Sequence, residues 1–201
     1  MSASEHRSFA PAAASIRVAV VSVSDTRTLD SDEGGALLQA RAAAGGFAVV
    51  SRELVPDEPE LLRARVTALV AGGAADVLLL TGGTGLAPRD GTVEAVEPLF
   101  DRKLPGYGEL FRMLSFAEIG SAAMMSRATA GVIGQVAVFL TPGSPGGVAL
   151  ALDRLILPEL AHLVGELRRS PHRAAPGSIG PDRSRAEGPH AHEGHERRRR
   201  P

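Results

Sequence analysis

Val77-Leu78-Leu79-Leu80-Thr81-Gly82-Gly83-Thr84-Gly85 is an uncharged apolar run that stops in a glycine-rich turn. A short aliphatic run bounded by glycine reads as a strand buried on both faces of a parallel sheet. Three glycines and two threonines within five residues let the backbone approach a ligand closely, and they leave amide N–H groups and hydroxyls to face an anion. Ligands of open parallel sheets sit at the carboxyl ends of the strands. Thr81, Gly82, Gly83, Thr84 and Gly85 are therefore candidate binding residues, set against the plainer reading of a turn that uses glycine for geometry alone. The string is not a Walker loop, since no Gly-Lys-Ser/Thr follows, and it lacks the Gly-x-Gly-x-x-Gly spacing of a dinucleotide fingerprint.

The neighbouring sequence builds a doubly wound unit around this turn. Residues 16–23 read as a first strand, ending in Ser24-Asp25-Thr26. A helix is expected over 32–44, stopped by Gly45-Gly46. An amphipathic strand over 47–55 leads through Pro56-Asp57-Glu58-Pro59-Glu60 into a helix with Leu62, Val66, Leu69 and Val70 at helical spacing. Residues 76–81 are the third strand, giving β-α-β-α-β with crossover helices. Beyond the glycine turn we expect helices over 92–100 and 108–117, then strands over 126–132 and 135–141 joined near Gly134. A last helical region reaches 168, where Pro158 kinks the helix or starts a new one over 158–167.

The chain has 201 residues, a net charge of −1 and 44% hydrophobic residues, which fits one domain over 16–168 with tails. Residues 1–15 and the His/Arg-rich stretch 169–201 carry few apolar side chains and are expected to be disordered. In that tail His190, His192 and His195, with Arg197 to Arg200, read as solvated. The absence of cysteine excludes disulfides and thiolate metal sites and suits a reducing, cytoplasmic setting. The near-neutral charge argues against a nucleic-acid binder of the usual basic kind, and no run is long enough to span a membrane. Lys103 is the only lysine. A phosphate-handling site here must rely on arginine, metal ions and backbone amides.

Two acids follow strand ends. Asp90, in Arg89-Asp90-Gly91-Thr92, can hold magnesium against nucleotide phosphates, with Arg89 on a phosphate oxygen; alternatively Asp90 or Thr92 caps the next helix. Asp57, with Glu60 three residues on, resembles a capping box. If the second and third strands are neighbours, both acids reach one rim of the sheet, the arrangement that metal-assisted phosphoryl or nucleotidyl transfer needs. Ser22, Ser24 and Asp25 end the first strand on the same rim. Pro142-Gly143-Ser144 offers free amides to an anion, or Ser144 is an N-cap with Pro145 at the first helical position. Phe100, Tyr107, Phe111 and Phe116, clustered within 99–117, form either a subunit contact or ordinary core.

The glycine turn, Arg89-Asp90-Gly91-Thr92, the run from Lys103-Leu104-Pro105-Gly106-Tyr107-Gly108-Glu109 to Leu110-Phe111-Arg112, then Phe116-Ala117-Glu118-Ile119-Gly120, Ser126-Arg127-Ala128 and Pro142-Gly143-Ser144 form an ordered series. On it the chain resembles the MoaB/MogA family of molybdenum cofactor biosynthesis proteins, most closely the MoaB branch, over about 16–168. The resemblance implies a three-layer α/β/α fold with a mostly parallel sheet, assembled as a homo-oligomer, trimer or hexamer. It implies adenylylation of molybdopterin with Mg2+ and ATP, release of pyrophosphate, and hand-over of the product to a metal-insertion enzyme. It makes Asp57 and Asp90 the functional, metal-holding aspartates. Ser24 and Asp25, Thr81 to Gly85, Arg89, and Pro142, Gly143 and Ser144 become the binding segments. A non-catalytic molybdopterin-binding scaffold of the same pathway is the alternative.

Overall fold

The computed structural model of the protein describes residues 10–169. Its elements are β1 (Arg17–Val23), α1 (Glu33–Ala44), β2 (Ala48–Val55), α2 (Pro59–Ala71), β3 (Val77–Thr81), α3 (Thr92–Val96), β4 (Arg102–Lys103), α4 (Pro105–Ile119), β5 (Thr129–Ile133), β6 (Val136–Thr141), α5 (Pro145–Ala151) and α6 (Leu157–Arg168). The six strands pair in the order β2-β1-β3-β6-β5-β4. β2, β1, β3 and β6 are parallel neighbours, while the pairings of β6 with β5 and of β5 with β4 are antiparallel.

All five residues of β3 are buried, as its unbroken aliphatic run requires. Alternation along the strands divides the core in two. Val18, Val20, Leu79 and Phe139 face α1, α4, α5 and α6 through Leu38, Tyr107, Phe111, Val148 and Leu160. Ala19, Val21, Leu78, Leu80 and Leu140 face α2 and α3 through Leu62, Val66, Ala95 and Val96. The architecture is three-layer α/β/α around a mostly parallel sheet. From β1 the chain winds outward to β2 and then returns past β1 to β3. The crevice between the carboxyl ends of β1 and β3 is thus the topological switch point, where such sheets bind ligands.

Several expectations change in detail. β2 and β3 are not adjacent, because β1 lies between them. Residues 1–15 were expected to lack order, yet Ala13–Ser15 forms a 3-10 turn, with Ala13 packed on the core and the Ser15 carbonyl accepting from Arg168 Nη2 at 3.2 Å; residues 1–9 and the tail from 170 lie outside the described residues. The helix expected from 108 begins three residues earlier, because Pro105 suits the first helical turn, where its missing N–H costs nothing. Pro158 falls in the first turn of α6, which starts at Leu157, so of the two expectations the new helix is the one observed; a π-helical turn, Leu152–Ile156, leads into it. Within the aromatic cluster Tyr107 and Phe111 are core, Tyr107 packing edge-on to Phe139 with ring centres 5.3 Å apart, whereas Phe116 is exposed.

An ion triad ties the other end of the sheet together. The Asp76 carboxylate accepts from the Arg17 N–H at 2.8 Å and from its guanidinium at 3.1 Å, and Arg168 Nη2 lies 3.1 Å away. Burial alone would push the Asp76 carboxyl up, but the two arginines outweigh it and hold the pKa down to about 2. A carboxylate depressed in the fold contributes stability above its unfolded pKa and loses it as pH falls through the folded value. Asp76→Asn is therefore expected to lower the unfolding free energy at neutral pH by about 1 kcal/mol after solvent screening. The gap from the parent should close between pH 4 and pH 2 in chemical-denaturation curves; a gap that persists at pH 2 would assign the effect to packing.

Candidate functional site

The glycine turn after β3 is fixed by backbone geometry and by one threonine. Gly82 and Gly83 have φ of +98° and +61°, a region that L side chains rarely adopt. A methyl group on Gly82 would collide with the Val23 carbonyl oxygen, and one on Gly83 with Thr92 Oγ1. Thr92, fully buried, donates its hydroxyl to the Gly82 carbonyl at 2.9 Å, and its N–H donates to the Gly83 carbonyl at 3.0 Å. Arg127, ahead of β5, braces the far side. Its Nε donates to the Thr84 carbonyl at 3.3 Å, its Nη2 to the Asp90 carbonyl at 2.9 Å, and it pairs with Glu94. Neither Thr92 nor Arg127 stood out in the sequence as a positioning residue; the Arg89-Asp90-Gly91-Thr92 and Ser126-Arg127-Ala128 motifs were the only signals.

Asp57 and Asp90 come together at this turn although β1 separates the strands that carry them. A methyl on Gly83 would lie 3.1 Å from Asp57 Oδ1, and one on Gly85 2.6 Å from Asp90 Oδ2. Neither acid is a helix cap: Glu58 occupies the N-cap position of α2 and Gly91 that of α3, both without a capping side chain. Asp90 Oδ2 instead accepts from the Ala87 N–H at 2.8 Å, closing its own loop. The Asp57 carboxyl is raised above the ordinary range. Burial is the main cause, and repulsion from Asp25 and Asp90 adds to it against the opposing effects of the Gly91 N–H and Arg89. A half-buried acid held beside two others is a functional-site signature.

The remaining sequence candidates divide into contacts and supports. Ser24 Oγ accepts from the N–H groups of Thr26 and Arg27, each at 3.3 Å. Asp25 Oδ1 accepts from the Asp57 N–H at 3.0 Å, and Oδ2 lies 2.7 Å from Arg89 Nη2, which also reaches Glu58 at 3.4 Å. Ser22 donates to the buried Asp32 at 2.6 Å. Ser22, Thr81 and Thr141 are register partners across three strands. Thr81 donates to the Pro142 carbonyl and Thr141 to the Leu80 carbonyl, both at 2.9 Å, so the glycine turn and the 142–144 turn are tied to each other. Ser144 is the N-cap of α5, accepting from the Gly147 N–H at 3.2 Å, with Pro145 at the first helical position.

Two cavities open along this rim. One, about 330 Å³, is walled by Ser24, Asp25, Arg27, Asp57, Gly83 and Asp90. The other, about 500 Å³ and more apolar, lies over α4 and is walled by Thr84, Phe111, Ser115, Glu118, Ser126 and Leu150. Gly143 lines both. Among the described residues no group of three or more His, Cys, Asp or Glu side chains forms a metal cage. The donor set of Asp57 and Asp90 is two hard oxygen ligands, which suits magnesium, a cation that takes one or two carboxylates and completes its shell with water and phosphate.

A doubly wound α/β domain with a glycine turn and two acids at its switch point is the class of protein that this geometry defines. Residues 19–162 match the family model described as "Probable molybdopterin binding domain". The chain belongs to that family, the MoaB/MogA family of molybdenum cofactor biosynthesis proteins. It is 51% identical over 170 residues to molybdenum cofactor biosynthesis protein B of Bacillus subtilis, covering 84% of this chain and 99% of the relative. A crystal structure of a molybdenum cofactor biosynthesis protein B superposes with a TM-score of 0.77 at 46% identity, covering 80% of this chain and all of the other. The tungsten cofactor synthesizing protein MoaB from Pyrococcus furiosus does so with a TM-score of 0.68 at 36% identity, covering 77% and 98%. Among the described residues no helix is long and apolar enough to cross a membrane.

The strain on Asp57 has a measurable consequence. Its ionised form is disfavoured by the fold, so at neutral pH the charge lowers stability. Asn can still accept the Gly91 N–H. Asp57→Asn is expected to raise the midpoint of thermal unfolding of the metal-free protein by a few degrees, the scale of up to about 1 kcal/mol in a domain of this size. A lowered midpoint in calorimetry would mean that the acid is a structural support.

Proposed function

We propose that the protein adenylylates molybdopterin. A terminal phosphate oxygen of the pterin forms a bond to the α-phosphorus of ATP, the bond to the bridging oxygen of the β-phosphate breaks, and pyrophosphate leaves. The observation that carries this reading is the meeting of Asp57 and Asp90 over the glycine turn, beside a second, apolar cavity that shares Gly143 with the first. Such a site offers one compartment to a polyphosphate and an adjoining one to a flat heterocycle.

Asp57 and Asp90 would hold Mg2+, which supplies positive charge to the phosphates when bound. The chain's own residues do the rest. The Gly82–Gly85 amides face the anion. Thr81, Thr92 and Arg127 keep that turn in one conformation before the substrate arrives, so little reorganisation accompanies reaction. Holding donor and acceptor across Gly143 replaces a bimolecular encounter by a fixed geometry. Because adenylylation precedes metal insertion, the same step serves a molybdenum or a tungsten pathway, and its product passes to the insertion enzyme.

The test is pyrophosphate release from ATP, magnesium and molybdopterin. Release that depends on molybdopterin, and that falls about a hundredfold or more in both Asp57→Asn and Asp90→Asn, is expected. No turnover while molybdopterin still binds would make the protein a carrier or scaffold of the same pathway.

We also place the homo-oligomer contact on the outer face of α4, where Met113, Phe116 and Ile119 are exposed and continue into Met124 and Met125. Exposed apolar side chains grouped in this way mark interaction surfaces. Phe116→Glu is expected to reduce the assembly to a smaller species in light scattering with the circular dichroism spectrum preserved; an unchanged mass would move the contact elsewhere.

A further inference from the structure

Four arginines stand near the rim, and three of them are committed. Arg89, the one that the sequence offers for a phosphate, is held by Asp25 at 2.7 Å and Glu58 at 3.4 Å, and it does not line the acidic cavity. Arg127 is spent on the Thr84 and Asp90 carbonyls and on Glu94. Arg52 lies beneath the rim, donating to the Asp32 carbonyl at 3.1 Å and to its carboxylate at 3.2 Å, and also to the Leu29 carbonyl at 2.5 Å.

Arg27 differs. It is the only cationic side chain among the residues that wall the 330 Å³ cavity, where Asp25, Asp32, Asp57 and Asp90 supply four carboxylates. Its guanidinium makes no hydrogen bond among the described residues. The nearest acid oxygen, Asp32 Oδ1, is 4.0 Å away. That acid is already satisfied, Oδ1 by the Gly35 N–H at 2.9 Å and Oδ2 by Ser22 at 2.6 Å and Arg52 at 3.2 Å. The backbone at Arg27 is nonetheless fixed, because its N–H and that of Thr26 both donate to Ser24 Oγ. A fixed backbone with an uncommitted guanidinium at the mouth of an acidic cavity is arranged for an incoming anion. Guanidinium presents a planar fork of donors that matches phosphate oxygens.

We infer that Arg27 is the residue that receives a phosphate group in this cavity, and that Arg89 acts as a latch that fixes Asp25 and, through the Asp57 N–H, the acid pair. Arg27 approaches the phosphate from the turn after β1, while Asp57 and Asp90 act from the loops after β2 and β3. The inference rests on the adenylyl-transfer reading for the identity of the anion: either the triphosphate of the nucleotide or the phosphate ester of the pterin.

The experiment is equilibrium binding to the full chain, with Mg-ATP and molybdopterin as separate probes, for the parent, Arg27→Ala, Arg27→Gln and Arg27→Lys. Loss of a charge-assisted phosphate contact weakens binding by about 10- to 100-fold. That loss is expected for one probe in Arg27→Ala and Arg27→Gln, with partial recovery in Arg27→Lys and unchanged thermal midpoints. The affected probe names the source of the phosphate. Parent-like affinity for both probes in Arg27→Ala and Arg27→Gln overturns the inference and leaves the adenylyl-transfer reading intact. A parent protein that binds molybdopterin but no Mg-ATP overturns the adenylyl-transfer reading itself. In that case the pterin probe alone decides on Arg27.

Discussion

The turn at Gly82 and Gly83 exists only because neither residue has a side chain. Both sit at positive φ, and the space that a methyl would take is already filled by the Val23 carbonyl and by Thr92. Everything around the site is set by that turn. Thr92 starts α3 and clamps two of the turn's carbonyls, Arg127 ties Thr84 to the Asp90 loop, and Thr81 fastens the turn to Pro142 on the next strand. These contacts turn a flexible glycine run into a rigid rim. A rim that is rigid before ligand arrives loses less entropy on binding and keeps its dipoles aimed.

The same rigidity concentrates like charge. Asp25, Asp57 and Asp90 crowd one end of the crevice; burial does most to raise the Asp57 carboxyl, and repulsion from the other two adds to it. Arg89 offsets part of it by bridging Asp25 and Glu58. The chain has a single lysine, so its cationic side chains are almost all arginines. In the proposed reaction the acids are half of an ion cluster whose other half comes with the substrate. The opposite end of the sheet, where Asp76 is held by Arg17 and Arg168, carries no such strain.

Much of this was legible in the sequence, for identifiable reasons. The buried run of β3 and the glycines after it gave the sheet centre and the rim, because periodicity and turn chemistry are local properties. The position of β1 between β2 and β3 was not legible, since strand order depends on contacts far apart in sequence. Asp57 and Asp90 each had a local alternative as helix caps. Only the structure shows the N-cap positions taken by Glu58 and Gly91. Arg89 and Arg27 could not be told apart from composition, because what separates them is which carboxylates are already satisfied. Nor could the sequence show which aromatics of α4 are covered: Tyr107 and Phe111 are core while Phe116, five residues beyond Phe111 on the same helix, is exposed.

In the proposed reaction a nucleotide's phosphates lie over the glycine turn with a metal ion held by Asp57 and Asp90. A crystal structure with magnesium and a non-hydrolysable ATP analogue tests it most directly. Phosphate oxygens on the 82–85 amides, with a cation bridging them to both aspartates, is the expected result. A nucleotide bound elsewhere, or bound here with both carboxylates free of metal, would contradict it.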